Sequence, residues 1–147
     1  MKTIKTTSPA QTLQLGSRLA KKLRGGEVLA LYGALGTGKT QFVKGLAKGL
    51  GIKRTVTSPT FVIAKFYPFK KHNQKSCFCH FDLYRVKSAA GLSLAGLTER
   101  LQDRGLIVAI EWPKIASRRL PKKTLKLFFS HGKKLQERTI KFPSRIL

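Results

Sequence analysis

Carboxylates are scarce in this chain. Its 147 residues carry six Asp and Glu against thirty Lys and Arg, a formal net charge of +24. Any metal-binding or acid–base role must therefore be found among Glu27, Asp82, Glu99, Asp103, Glu111 and Glu137. Cysteine is nearly absent as well. Cys77 and Cys79 lie one residue apart and cannot staple distant segments, which excludes a disulfide framework and fits a reducing compartment. No apolar run approaches the ~20 residues that cross a bilayer. Residues 1–10 (MKTIKTTSPA) hold no apolar stretch of the kind a secretory leader needs. A cytoplasmic protein with no membrane partner is expected, and neither an internal repeat nor a linker divides it.

What is present is core material: 41% hydrophobic and 9% aromatic residues, in a length typical of one domain. Residues 1–147 are expected to form a single domain. The cationic excess favours a polyanionic partner, because a Lys or Arg that neutralises a phosphate releases a condensed counterion. Yet lysines outnumber arginines two to one and are scattered, as they would be on a merely solvated surface. Clusters occur at Lys21-Lys22 with Arg24, Lys70-Lys71, Arg118-Arg119 with Lys122-Lys123, and Lys133-Lys134. None is interleaved with the stacking aromatics of single-strand binders, and those of the second half could merge into one patch.

Ser8-Pro9 has the form of a helix start, and Leu13, Leu15, Leu19, Ala20 and Leu23 give that helix an apolar side up to Gly25-Gly26. Residues 27–32 (EVLALY) read as a strand buried on both faces, and Lys39 to Leu50 as a helix capped by Gly51. Strands are expected over 61–67 and 77–84, with a loop over 70–76. The alternation of the second strand puts Cys77, Cys79 and Phe81 on one face and Phe78, His80 and Asp82 on the other. A helix broken by Gly91 and Gly96, a buried strand at 106–110 and a C-terminal hairpin (124–130 with 138–142) complete a three-layer α/β pattern.

Between the first buried strand and its helix stands Gly33-Ala-Leu-Gly36-Thr37-Gly38-Lys39-Thr40, a match to G-x-x-x-x-G-K-[ST] in the context its mechanism requires. Glycines let backbone N–H groups wrap a phosphate, and the helix N-terminus adds its positive dipole end. Lys39 would reach the β- and γ-phosphates and Thr40 would face Mg²⁺. Hydrolysis needs further oxygen ligands and an oriented water. Of the six carboxylates, Asp82 and Glu111 fall at strand ends, the edge where open α/β sheets place ligands. Ser58-Pro59-Thr60 presents two hydroxyls on a stiff loop. His72, Cys77, Cys79 and His80 invite a zinc reading, but the cysteines face away from His80 and lack the spacing of structural zinc, so they read as core residues.

Taken in order, the phosphate loop, Ser58-Pro-Thr-Phe61, His80-Phe-Asp-Leu-Tyr-Arg85 and Ile110-Glu-Trp-Pro113 resemble the TsaE (YjeE) family. The resemblance implies a P-loop NTPase fold and an ATP hydrolase that uses Mg²⁺ in making N6-threonylcarbamoyladenosine on tRNA. It implies that the protein binds the TsaD–TsaB pair and supports its turnover, with tRNA met directly or through that complex and no DNA partner. It assigns phosphate binding to Gly33, Gly36, Thr37, Gly38, Lys39, Thr40 and Gln41. Magnesium falls to Thr40, Asp82 and Glu111, and hydrolysis to Lys39, Asp82 and Glu111. Thr60, Trp112 and Arg138 are implied to lie near the nucleotide. The chain departs from the family's usual loop at Ala34, Thr37 and Gln41, and at Lys87–Gly91, where acidic residues are common. Two rival readings are a small-molecule kinase on the same loop, with Ala116–Lys123 as its lid, and a non-enzymatic basic RNA-binding protein.

Overall fold

In the computed structural model, which describes residues 1–146, the apolar runs pair into one sheet. Its strands are β1 (Lys2–Thr6), β2 (Val28–Tyr32), β3 (Ala64–Lys71), β4 (Gln74–Asp82), β5 (Leu106–Glu111), β6 (Leu125–His131) and β7 (Arg138–Phe142). They lie side by side in the order β1-β7-β6-β2-β5-β4-β3. The four central strands are mutually parallel, with Ala30 beside Ile110 and Leu29 beside Leu125. Buried on both faces, β2 and β5 are apolar at nearly every position. The outer strands are antiparallel to their neighbours.

Helices α1 (Pro9–Ala20) and α2 (Lys39–Gly49) cover one face, over Leu29, Leu31, Phe78, Ile107, Ala109 and Leu127. The short helices α3 (Ala89–Leu94) and α4 (Leu97–Arg100) cover the other, over Cys79, Phe81, Val108 and Ile110. The split of β4, Phe78 to one core and Cys79 with Phe81 to the other, follows the alternation read from the sequence. α1 begins where Ser8-Pro9 predicts: the Ser8 hydroxyl accepts from the Gln11 N–H at 3.2 Å. It lies close against α2 because Gly45 presents no side chain to the Leu13 carbonyl, where a Cβ would collide with backbone. That approach brings Pro9 and Thr12 to the start of α2.

Three expectations are corrected. β1 was not expected, because in its run KTIKT only Ile4 is apolar, and what orders it is antiparallel pairing with β7. The strand expected over 61–67 begins at Ala64, since the Pro59 carbonyl accepts from both Val62 and Ile63 N–H groups and Ile63 takes φ +67°. The loop expected over 70–76 is a hairpin turn. His72 and Asn73 both adopt positive φ, 48° and 62°, the two-residue geometry that continues strand twist, so β3 runs to Lys71 and β4 starts at Gln74. The break in the 88–101 helix falls at Gly96, φ +69°. No helix among the described residues is long and apolar enough to cross a membrane.

Candidate functional site

The parallel strands set the site. β2 delivers Gly33 at its C-terminal end, and Gly38, with φ +94°, turns the chain into α2. Gly33 is required because a Cβ there would lie 2.5 Å from the Phe129 carbonyl of β6. Thr37, itself buried, donates its hydroxyl to the Ala34 carbonyl at 2.7 Å and closes the loop. The backbone N–H groups at the α2 N-terminus are thereby held in the arrangement that receives anions. Lys39 is buried beneath them. Its Nζ donates to the Gly33 and Ala34 carbonyls at 2.7 and 2.8 Å and sits 4.2 Å from the centre of the Trp112 ring. Burial holds its pKa below the usual lysine value, and Glu111 and Asp82 pull it back up.

Those two carboxylates end β4 and β5 and stand directly opposite each other in the sheet register. Both are almost wholly buried, a costly arrangement unless each is hydrogen-bonded. Glu111 accepts from the Thr40 hydroxyl at 3.0 and 3.1 Å and from His80 Nε2 at 2.8 Å. Because an ionised carboxylate only accepts, that bond puts the imidazole hydrogen on Nε2. Asp82 accepts from the Thr60 and Ser58 hydroxyls at 2.8 and 3.3 Å through one oxygen, and from the Tyr84 N–H at 3.0 Å through the other.

A cavity of about 310 Å³ opens over the loop. Of the residues expected at the site, Gly36, Gly38, Lys39, Thr40, Gln41, Glu111, Trp112 and Arg138 line it. Gly33 and Thr37 form the loop's inner wall, whereas Asp82 and Thr60 stand one strand further out. Trp112, immediately after Glu111, takes φ +56°, uncommon for a bulky residue and a form of strain that gathers at functional sites. Arg138 enters from the C-terminal hairpin, donating from Nε to the Gly36 carbonyl at 3.0 Å and from Nη1 to the Leu135 and Glu137 carbonyls.

Two histidines were missed as site residues. His80 is fully buried and holds Glu111; its signal was its place two residues before Asp82 on the same strand face. His131 Nε2 lies 3.2 Å from the Leu35 carbonyl of the loop, and nothing in the sequence marked it. His72 sits in the hairpin at the far end of β4, while Cys79 is buried and Cys77 half-buried against the α3–α4 core.

Comparison with known proteins finds relatives in sequence and in fold. The sequence profile of the family described as "Threonylcarbamoyl adenosine biosynthesis protein TsaE" matches residues 6–140. A protein of Borreliella burgdorferi named tRNA threonylcarbamoyladenosine biosynthesis protein TsaE is 46% identical over 100 residues, 68% of this chain and 69% of its own length. Proteins of the same name are 36% identical in Bacillus subtilis, over 84% of this chain and 73% of theirs, and 38% identical in Treponema pallidum, over 80% and 83%. The crystal structure of Bacillus subtilis YdiB superimposes with a TM-score of 0.76 at 31% identity, over 99% of this chain and 88% of that one. The three-layer α/β architecture is thus a P-loop NTPase fold, and the chain belongs to the TsaE family.

Proposed function

We propose that this protein binds Mg-ATP at the Gly33–Thr40 loop and hydrolyses it slowly, as the ATPase component of tRNA N6-threonylcarbamoyladenosine synthesis in the cytoplasm. Its hydrolysis supports turnover of the TsaD–TsaB pair. The observation that carries the reading is the convergence of a buried Lys39, the Thr40 hydroxyl and the buried Glu111 at the mouth of one phosphate loop, with the buried Asp82 beside Glu111 on the next strand.

The residues fit the ligand. Thr40, Asp82 and Glu111 are hard oxygen donors of the kind Mg²⁺ takes. When bound, the ion neutralises charge on the transferring phosphoryl group. Lys39 exchanges its two carbonyl partners for phosphate oxygens, whose negative charge offsets the cost of burying its ammonium. Glu111 accepts a proton or orients the attacking water, and His80 fixes its carboxylate plane. Ser58 and Thr60 hold Asp82 in place. The Trp112 ring shields Lys39 from water, and Arg138 steadies the loop.

The kinase alternative finds no support at this site. Ala116–Lys123, its lid, leads down to the start of β6, with Arg119 donating to the Thr98 hydroxyl at 2.9 Å, away from the cavity. The test is to measure ATP binding with and without Mg²⁺, ATP turnover with TsaD–TsaB present, and restoration of the modified adenosine in a strain lacking its own homologue. Failure to bind ATP would sink the proposal; turnover only with an added metabolite acceptor would replace it with the kinase.

A further inference from the structure

The parallel sheet has a second edge, where its central strands begin. There the α1–β2 turn, the β3–β4 hairpin and the segments that lead into β5 and β6 come together. Three adjoining concavities join them. One, of about 140 Å³, is lined by Arg24, Lys71, Lys75 and Arg104. A second shares Arg24 and Lys71 with it and adds Lys21 and Lys22. A third shares Arg104 and adds Lys123. Across the strands from β6 to β3, at about 4.8 Å per gap, the surface is roughly 19 Å wide.

Seven cations thus share one concave surface, six of them exposed and Lys71 half-buried. Among the described residues none of the seven is ion-paired. Two carboxylates lie at this edge, and backbone holds both. Glu27 accepts from the Arg24 and Gly25 N–H groups at 2.8 Å each, and Asp103 from the Gly105 N–H at 2.8 Å. Like charges gathered without partners raise the free energy of the fold, and an external polyanion relieves them.

We infer that this edge binds the phosphate backbone of a folded, double-helical RNA while the opposite edge holds the nucleotide. The choice of RNA rests on the reading that the protein serves a tRNA-modifying pathway; the surface itself does not. Of the rings that line the concavities, Phe69 is buried and the His72 imidazole alone is exposed, too little stacking surface for a run of unpaired bases, which favours a helical backbone over a single strand. A membrane surface is disfavoured because Leu35, Phe61, Val62, Tyr84 and Leu135, among the exposed large apolar side chains, all lie outside these concavities and none can insert there.

The experiment measures binding of the full chain to a labelled tRNA transcript across a salt series, beside a DNA duplex of equal charge and anionic lipid vesicles. Seven phosphate contacts would give a log–log salt slope of about −6. The combined variant K71A/K75A/R104A should weaken tRNA binding at least about 10-fold at physiological salt and flatten the slope by about 3. A K133A/K134A variant, altered in the turn beside the phosphate loop, should leave binding unchanged. Saturating Mg-ATP should not compete. ATP binding by every variant, measured separately, keeps this result distinct from a failure at the nucleotide site, and thermal melts check that each variant is folded. The inference is overturned by equal loss in the two variants, by competition from ATP, by tighter binding to DNA than to tRNA, or by vesicle binding without tRNA binding.

Discussion

The two edges of the sheet treat charge in opposite ways. At the strand C-termini, Lys39, Asp82, Glu111 and His80 are buried and each is held by named partners. At the strand N-termini, seven cations lie without an ion pair among the described residues on a shared concave surface. Buried charges are expensive unless satisfied, so the first edge is a network fixed by its hydrogen bonds, suited under the proposed function to one small ligand. Exposed cations are screened and individually weak, so the binding inferred for the second edge depends on number. The net charge of +24 is therefore not one property of the molecule. The cationic clusters do not merge as the sequence allowed: Lys133-Lys134 sits in the β6–β7 turn near the phosphate loop, and Lys122-Lys123 leads into β6 at the opposite edge.

The sharpest way to break the contrast is Lys39→Ala. It removes the one cation the C-terminal edge buries beneath its loop, and ATP affinity should fall by about 100-fold or more, since hydrogen bonds to charged groups contribute ~1.5–3 kcal/mol each. Fluorescent-nucleotide titration reads this directly; near-normal affinity would place the phosphates elsewhere. Glu111→Ala comes next and separates binding from chemistry. Nucleotide affinity should stay within a few-fold while turnover with TsaD–TsaB drops by about 100-fold. Wild-type turnover would remove Glu111 from the mechanism.

Much of the C-terminal edge was legible in the sequence. The glycine spacing demanded a phosphate-type loop, and the scarcity of acids left two carboxylates at strand ends. Period-two alternation already put His80 and Asp82 on one face of β4, the face that α2 covers. What hid the role of His80 was the competing zinc question. The N-terminal edge was not legible, because Lys21, Lys22, Arg24, Lys71, Lys75, Arg104 and Lys123 come from four separate turns, and only strand order brings them together. β1 and the C-terminal end of β3 were missed for a related reason. Their residues are mostly polar and exposed, and pairing with β7 or with β4 supplies the order that local pattern does not.

A smaller effect tests whether the buried network works as a unit. In His80→Gln the amide can still donate but no longer fills the imidazole's place beside Glu111. Turnover should fall by about 10-fold with ATP affinity unchanged, in keeping with the loss of a positioning hydrogen bond of ~1–1.5 kcal/mol. Addition of the same substitution to Glu111→Ala should cost nothing further, because residues acting through one group are not additive. A full second loss in the double variant would show that His80 acts independently of Glu111.

The smallest expected effect is at Arg138, which belongs to the C-terminal edge by position but resembles the other edge in being half-exposed. Its donors go to three backbone carbonyls, of Gly36, Leu135 and Glu137, and water can replace most of those bonds when the side chain is removed. What water does not replace is the link between the β6–β7 hairpin and the phosphate loop. Arg138→Ala should therefore weaken ATP binding by roughly 3–10-fold, about 1 kcal/mol for a part-exposed hydrogen-bonded link, and leave turnover at saturating ATP within about two-fold. Lys at this position should recover little, since a single ammonium cannot span carbonyls on both the loop and the hairpin as the guanidinium fork does. A loss as large as that of Lys39→Ala would mean that the guanidinium meets the nucleotide itself and that the hairpin is part of the binding site.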